Sequence, residues 1–387
     1  MRFKDSGIKR VVIAGGKTGG HLFPGIAVAQ ALKAQAPDTR ILFVGTSAPF
    51  ETDTLARYGF DHKTVISRPI KGGSRLSKLL SAALVLVSII QALGILIRFR
   101  ADFVLGVGGF SSFALVLAAR ILGTQTAIQE QNACPGMTNQ MLARISHTIF
   151  IAFEQTKGMP VGNKTFWVGN PIRLDTPVAG NTQDQKISQD DPETAFLEAL
   201  DPKTFLVLVT GGSQGAAAIN KAFMDAASLL DGDNTMAVVH QTGKAQAKEI
   251  QQQYKKITLD VMAEAFFHRM PAIQHRADLV ISRAGAGTLT ELAVQGKAAV
   301  LIPFPYAADD HQTANAKNFA DRGAAILISD YALTGQNLFK IIQDLKTHPE
   351  TRAKMETAMA SLALPHAAAH IAGHILAPKK GHQDVSA

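Results

Sequence analysis

The sequence predicts an α/β fold made of two doubly wound, Rossmann-like parallel-sheet domains. Short, continuous runs of Val, Ile and Leu recur along the chain, each followed by a glycine-rich or small-residue turn and a helical stretch. Uninterrupted apolar strands are typical of parallel sheets covered by helices on both faces. One strand–glycine–helix unit also occurs twice, as VVIAGGKTGGHLFPG from Val11 and as LVLVTGGSQGAAAIN from Leu206. This loose repeat predicts one such unit at the start of each domain.

The apolar runs place eight strands along the chain, and the length of 387 residues suits two domains. We expect an N-terminal domain over residues 1–172 and a C-terminal domain over 173–361, with a final helix at about 362–380 joining the first domain. The polar, acidic stretch Thr176–Pro202 has no strand pattern and is predicted to be a linker or surface excursion. The predicted strands are Val11–Ala14, Ile41–Val44, Phe103–Val107, Thr126–Gln129, Phe205–Thr210, Met236–His240, Leu279–Ser282 and Ala299–Ile302.

Composition and charge narrow the class of protein. The single cysteine, Cys134, excludes an internal disulfide and a cysteine-based zinc cluster, and it suits a reducing compartment. The first apolar run is too short for a secretory signal, so we expect a cytoplasmic protein. Residues 1–170 hold 19 Lys and Arg against 8 Asp and Glu, whereas the remainder holds 20 against 23. This asymmetry indicates an anionic partner for the first half. Nucleic acid is not expected, because aromatic residues are few and no dense basic run occurs.

The longest uncharged run, Leu79–Ile97, lies between Lys78 and Arg98. Its 19 residues reach the lower end of a membrane-spanning length, but the run contains polar residues and leads straight into another strand-and-glycine unit. Three interpretations stay open, in order of preference: a buried crossover helix, a helix whose outer face rests on a membrane, and a true span. The first two are compatible, and flanking basic residues would favour an anionic membrane surface.

The glycine-rich turns predict ligand contacts at the ends of strands. In the first repeat, the glycines and His21 precede a helix whose N-terminus favours an anion, although the spacing is neither a dinucleotide fingerprint nor a Walker loop. In RAGAGTLTEL, residues 283–292, small residues permit close backbone approach, and Glu291 can complement the helix dipole or bind a ribose diol. The other polar clusters that follow predicted strands are EQNACPGMTN, VGNPIR, TGGSQGA and DDHQTANA.

Taken in order along the chain, these motifs and GVGGFSS resemble those of the MurG family of glycosyltransferases. The family transfers N-acetylglucosamine from UDP-N-acetylglucosamine to lipid I, the lipid-linked muramyl-pentapeptide of peptidoglycan synthesis. The resemblance runs from Val11 to about Ile328. It implies a GT-B fold with two domains facing across a cleft, the donor nucleotide in the C-terminal domain and lipid I on the N-terminal domain. It also implies peripheral attachment to the cytoplasmic face of the inner membrane and partners among cell-wall synthesis and division proteins. No metal or other cofactor is expected, because no D-x-D pair lies where a metal-dependent transferase would need one.

The resemblance also carries over individual residues. His21 matches the family's candidate base for an inverting displacement, and an unperturbed imidazole suits that work, although it could instead orient the loop or bind phosphate. Phe267 matches the position that meets the uracil through its backbone. Leaving-group charge would be stabilised by backbone N–H groups, a helix N-terminus and Arg173. The residues expected to bind UDP-N-acetylglucosamine are Thr18, Gly19, Gly20, Asn132, Arg173, Ser213, Phe267, Ala286, Gly287, Thr288, Leu289, Thr290, Glu291, His311 and Gln312.

Three other functions remain as alternatives at this point. A related transferase could act on a different lipid, such as diacylglycerol. A UDP-N-acetylglucosamine 2-epimerase has a similar architecture and needs no lipid. A membrane-associated scaffold would bind UDP and transfer nothing. Incubation with labelled donor and each acceptor separates these alternatives from transfer to lipid I. The other transferase would label a different lipid, the epimerase would convert the donor without any lipid, and the scaffold would transfer nothing.

Overall fold

The computed structural model describes residues 9–16, 18–66, 75–172 and 191–377, with the backbone alone for residues 75–82. The chain divides into two compact units. Unit 1 comprises Met1–Leu174 and Pro365–Ala387, and unit 2 comprises Asp175–Leu364. Each unit contains one parallel sheet with its own hydrophobic core.

Unit 1 contains a seven-stranded sheet in the order β3-β2-β1-β4-β5-β6-β7, with every neighbouring pair parallel. One inner strand of this sheet is completely buried from Val11 to Ala14, as expected for a strand covered on both faces. The strands are β1 (Arg10–Ala14), β2 (Arg40–Gly45), β3 (Asp61–Thr64), β4 (Phe103–Gly106), β5 (Gln125–Glu130), β6 (Thr148–Ile151) and β7 (Thr165–Trp167). The helices between them are α1 (Gly19–Gln35), α2 (Pro49–Arg57), α3 (Arg75–Phe99), α4 (Phe110–Ile121) and α5 (Met137–Ile145).

Unit 2 contains a six-stranded parallel sheet in the order β10-β9-β8-β11-β12-β13, which repeats the order of the first six strands of unit 1. Its strands are β8 (Phe205–Thr210), β9 (Met236–Gln241), β10 (Asp260–Glu264), β11 (Leu279–Ser282), β12 (Ala299–Leu301) and β13 (Ala325–Leu327). Its helices are α6 (Pro192–Ala199), α7 (Ala217–Leu229), α8 (Ala247–Tyr254), α9 (Met270–Arg276), α10 (Ala286–Gln295), α11 (His311–Ala320), α12 (Gly335–Thr347) and α13 (Pro349–Ser361).

The chain ends, within its described part, on α14 (Ala367–Leu376), which packs against α1 of unit 1. Ile371, Ile375 and Leu376 are buried in the core that β1 and α1 share. The side chain of Gln35 donates a hydrogen bond to the backbone oxygen of Ala369 at 2.9 Å. The last helix is therefore an integral part of the N-terminal unit.

The predicted fold class of two parallel-sheet α/β domains is confirmed, and all eight predicted strands are present with each end shifted by at most one residue. Five strands were not predicted: β3, β6, β7, β10 and β13. Four of them form the outer strands of the two sheets, where one side is exposed and the apolar pattern is short or broken. The stretch Thr176–Pro202 was predicted to be a linker or surface excursion without strand pattern, and its described part contains the helix α6.

Candidate active site

Each sheet has one position where the strand order reverses: between β1 and β4 in unit 1, and between β8 and β11 in unit 2. Open α/β sheets bind ligands beyond the carboxyl ends of the strands at such a position. The glycine-rich loops that the sequence singled out follow β1, β4, β8 and β11, so they lie at these two positions.

In unit 1, the loops after β1 and β4 are in direct contact. Gly15 has a φ of +118°, and a Cβ atom built there would lie 2.2 Å from the backbone oxygen of Gly108. Gly108 has a φ of +106°, and a Cβ atom built on it would lie 2.7 Å from Cδ2 and 2.8 Å from Nε2 of His21. Glycine is required here because any side chain would displace the imidazole ring. His21 therefore packs against bare backbone at the reversal of the sheet.

The residues before His21 form the N-terminus of α1. Thr18 is the N-cap, with an extended backbone, and its carbonyl oxygen accepts hydrogen bonds from the N–H groups of His21 and Leu22. Its hydroxyl oxygen does not cap the helix but lies 3.5 Å from Nδ1 of His21. Gly19 and Gly20 occupy the first turn, where backbone N–H groups and the helix dipole favour an anion.

Asn132 follows β5 and is oriented by a buried carboxylate. One oxygen of Glu130 accepts from the backbone N and from Nδ2 of Asn132 at 2.9 and 3.2 Å, and the other accepts from Nδ2 of Asn139 at 2.8 Å. Burial raises the pKa of Glu130, although these hydrogen bonds act in the opposite direction. The next residue, Gln131, donates to the backbone oxygen of Val107 at 2.9 Å, which ties this segment to the loop against which His21 packs.

In unit 2, the loop Thr210–Ala216 turns between β8 and α7 with two left-handed glycines. Gly212 and Gly215 have φ values of +81° and +77°, and the N–H of Gly212 donates to the hydroxyl of Thr210 at 3.0 Å. Ser213 is exposed at the tip of this loop. Successive N–H groups in such turns form a concave anion-binding surface.

The N-terminus of α10 is a second place in unit 2 where backbone N–H groups follow a glycine-containing turn. Ala286, Gly287 and Thr288 form its first turn, and a Cβ atom on Gly287 would meet no atom within 4 Å. Leu289 is fully buried, and its N–H donates to the oxygen of Gly285, so its side chain serves the core. The hydroxyl of Thr290 donates within the helix to the oxygen of Ala286 at 2.8 Å, and Glu291 is half-buried.

The loop after β12 leads to two further predicted residues, His311 and Gln312. Asp309 and Asp310 adopt left-handed conformations, with φ near +50°, before α11 begins at His311. Nδ1 of His311 lies 2.6 Å from the oxygen of Ala308, and Oε1 of Gln312 accepts from the N–H of Phe304 at 3.0 Å. Two hydrogen bonds thus orient the side chains expected to read sugar hydroxyl groups.

Phe267 is 1% exposed, so its side chain is buried within unit 2. Its N–H donates to Oε1 of Gln241 at 3.0 Å, and Nε2 of Gln241 donates to the hydroxyl of Thr210 at 3.1 Å. Gln241 was not predicted from the sequence, although it ends a buried strand directly before a Thr-Gly turn.

The predicted residues thus fall into two groups, one at the carboxyl edge of each sheet. Unit 1 holds Thr18, Gly19, Gly20, His21 and Asn132. Unit 2 holds Ser213, Phe267, Ala286–Glu291, His311 and Gln312. Arg173 lies outside the described residues. The sequence missed Gly108, Gln131 and Gln241, although GVGGFSS and EQNACPGMTN contain the first two.

Two features are absent from the described residues. No group of three or more His, Cys, Asp or Glu side chains there could hold a metal ion. In the same part of the chain, no helix is both long and apolar enough to cross a membrane.

Two parallel sheets with the same strand order, each with glycine-rich loops at its reversal point, define the two-domain GT-B fold class. The comparisons with known proteins support this class. The model of the glycosyltransferase family 28 N-terminal domain matches residues 11–151, and that of the family 28 C-terminal domain matches residues 206–371. The chain belongs to glycosyltransferase family 28.

Curated relatives share most of their length with this chain. A protein of Geobacter sp. (strain M21) is 39% identical over 92% of both chains. A protein of Syntrophus aciditrophicus (strain SB) is 40% identical over 95% of this chain and 98% of its own. Both are named UDP-N-acetylglucosamine–N-acetylmuramyl-(pentapeptide) pyrophosphoryl-undecaprenol N-acetylglucosamine transferase.

Solved structures show the same fold. The crystal structure of Acinetobacter baumannii MurG has a TM-score of 0.75 at 29% identity, covering 95% of this chain and 99% of its own. A UDP-GlcNAc 2-epimerase from Neisseria meningitidis, bound to UDP-GlcNAc, has a TM-score of 0.63 at 13% identity, covering 95% of this chain and all of its own. The epimerase likeness shows the fold alone.

Proposed function

We propose that this protein transfers N-acetylglucosamine from UDP-N-acetylglucosamine to the 4-hydroxyl of undecaprenyl-pyrophosphoryl-N-acetylmuramyl-pentapeptide, lipid I, and so forms lipid II for peptidoglycan synthesis. The observation that carries the proposal is the close likeness, over more than nine-tenths of the chain, to relatives named for this transfer. The matched motifs at the carboxyl edges of both sheets support it.

In this proposal, unit 2 binds the donor. The diphosphate lies against the loop Thr210–Ala216 and the first turn of α10, where backbone N–H groups and the helix dipole stabilise negative charge. Phe267 meets the uracil through its backbone, Glu291 accepts from the ribose hydroxyls, and Gln312 with His311 contacts the sugar. Arg173 would add a cation to the leaving phosphate.

Unit 1 binds the acceptor and supplies the base. The muramyl 4-oxygen attacks the anomeric carbon of N-acetylglucosamine, its proton passes to the imidazole of His21, and UDP departs with the electron pair of the broken C–O bond. Configuration at the anomeric carbon inverts. The backbone of Gly108 and the hydroxyl of Thr18 hold the imidazole in place. Proton removal by a positioned imidazole contributes about 10²–10⁴-fold to such a reaction.

The proposal also places the protein at the cytoplasmic face of the inner membrane. Along α3, Ala92 and Leu96 are buried in unit 1, whereas Leu86, Ile90 and Ile97 are more than half exposed. Arg98 is exposed at the end of this apolar face. An exposed apolar stripe flanked by basic side chains is suited to the surface of an anionic bilayer. Attachment there would bring the protein to its lipid substrate and to other cell-wall synthesis and division proteins.

The decisive experiment incubates the purified protein with labelled UDP-N-acetylglucosamine and lipid I in detergent or anionic vesicles. We expect labelled lipid II in the presence of EDTA, because the proposal assigns charge stabilisation to backbone dipoles. Parallel reactions replace lipid I with diacylglycerol or omit the acceptor, and the nucleotide is then analysed for a 2-epimer. A glycosylated diacylglycerol, an epimerised donor, or a requirement for added metal would each contradict the proposal.

A further inference from the structure

The segment 266–269, between β10 and α9, is held by side chains that accept hydrogen bonds from its backbone. We call it the recognition segment, because it contains Phe267. Three consecutive backbone N–H groups in it, those of Phe267, His268 and Arg269, all donate to side chains from distant parts of unit 2. The acceptors are one oxygen of Gln241 and both oxygens of Glu193, at distances of 2.8 to 3.0 Å. A segment held in this way has little freedom to shift along its own direction.

Glu193 provides the first anchor from the helix α6. Glu193 is 7% exposed, and its carboxylate accepts from the N–H groups of His268 and Arg269 with one oxygen each. The contact is reciprocal, since the guanidinium of Arg269 donates to the hydroxyl of Thr194 at 2.6 Å and lies 3.6 Å from the carboxylate of Asp191. Hydrogen bonds to an ionised acceptor are roughly twice as strong as neutral ones. This helix, which the sequence did not predict, is therefore a support for the recognition segment.

Gln241 provides the second anchor from the end of β9. Gln241 is 3% exposed, and its side-chain amide accepts from the N–H of Phe267 and donates to the hydroxyl of Thr210. That hydroxyl also accepts from the N–H of Gly212, in the loop proposed to bind the diphosphate. One buried side chain thus fixes the spacing between the recognition segment and the phosphate-binding loop.

We infer that Gln241 and Glu193 are positioning residues that set the nucleobase specificity of the donor site. The inference rests on the proposed function, in which the backbone of Phe267 contacts uracil. Backbone groups discriminate between bases only when they are held within about 0.5 Å of the productive position. Uracil and cytosine differ in the hydrogen-bond pattern of one edge, so displacement of the recognition segment reduces the preference for UDP over CDP.

The test compares Gln241→Ala and Glu193→Gln with the unaltered protein and with two exposed controls, Gln252→Ala and Glu198→Ala. Calorimetry measures the affinity for UDP and for CDP, and steady-state assays give kcat and KM for UDP-N-acetylglucosamine. We expect both anchor variants to bind UDP about tenfold more weakly, as for loss of a buried hydrogen bond. KM for the donor should rise with little change in kcat, and the UDP-to-CDP affinity ratio should fall. The controls should match the unaltered protein.

A second variant and a second measurement separate positioning from general stability. Gln241→Glu keeps an acceptor for Phe267, so its loss of UDP affinity should be smaller than that of Gln241→Ala. Thermal unfolding without ligand is recorded for every variant. A lowered Tm with unchanged UDP affinity and unchanged base preference would overturn the inference, since it would assign these residues to folding alone. Failure of the unaltered protein to bind UDP would instead overturn the proposed function, and the inference with it.

Discussion

His240, on β9, is a buried histidine that should make the protein sensitive to acid. Its side chain is 0% exposed, with Nδ1 2.8 Å from the hydroxyl of Tyr254 and Nε2 3.1 Å from Oδ1 of Asn220. The amide of Asn220 is itself oriented, because its Nδ2 donates to the oxygen of Thr242 and to Gln246. Burial lowers the pKa of His240 to about 3 and raises the pKa of Tyr254, so both groups are neutral at neutral pH.

The magnitude follows from the two pKa values of this histidine. In the unfolded chain a histidine has a pKa of about 6.5, so below that pH the unfolded state binds a proton that the folded state does not. The stability contributed by neutral His240 is therefore complete above pH ~6.5 and is lost as the pH falls towards ~3. Relative to pH ~7.5, linkage gives a loss of about 1.4 kcal/mol at pH ~5.5 and about 2.7 kcal/mol at pH ~4.5.

The pH-dependent stability contributed by His240 is measured by urea unfolding at several pH values between ~7.5 and ~4.5. The unaltered protein is compared with His240→Gln. The variant is less stable at neutral pH, but the difference in free energy of unfolding should shrink by about 2.7 kcal/mol at the acid end. His275→Gln, which removes an exposed histidine of the same unit, should instead follow the unaltered protein. A pH-independent difference between His240→Gln and the unaltered protein would refute the reasoning, because His240 would then take up its proton equally in both states.

Three further predictions concern the proposed reaction. His21→Ala should lower kcat by about 10²–10⁴-fold with UDP affinity unchanged, and unchanged turnover would remove His21 as the base. Gly108→Ala should lower kcat by about 10²-fold, because the new methyl group displaces the His21 ring. The control is Gly123→Ala, because Gly123 also has a positive φ but has open space around it. This control should lose about 1 kcal/mol of stability and keep full activity. Ile90→Asp, on the exposed face of α3, should reduce sedimentation with anionic vesicles while leaving transfer to detergent-solubilised lipid I intact. Equal loss in both glycine variants, or unaltered vesicle binding, would contradict these expectations.

The central strands of both sheets could be predicted because burial on both faces leaves a continuous apolar run, as in Val11–Ala14 and Phe205–Thr210. The outer strands could not. In β3, the sequence Asp-His-Lys-Thr has three exposed residues and no apolar pattern, and its pairing with β2 supplies what the sequence does not specify. Helix α6 was missed for a related reason, since it lies in a polar stretch and is stabilised by its N-cap, Asp191, and by the distant contacts of Glu193.

The positions of the candidate site were predictable where a local pattern marks them. Glycines after a strand identified the loops around His21 and Ser213, and a helix start identified Ala286. The supporting residues were not predictable, because their roles depend on contacts between segments distant in sequence. Gln241 contacts Thr210 and Phe267, which are 31 and 26 residues away, and only the folded sheet brings them together.

The packing of α14 on α1 has a consequence for how the chain matures on the ribosome. The core of unit 1 needs Ile371, Ile375 and Leu376, whereas unit 2 has all its residues once position 364 has been made. The N-terminal unit is translated first, but its core is completed last. The face of α1 that packs on α14 stays uncovered until nearly the whole chain has been synthesised. Removal of α14 should therefore destabilise the N-terminal unit, although the deleted residues lie near the C-terminal end of the chain.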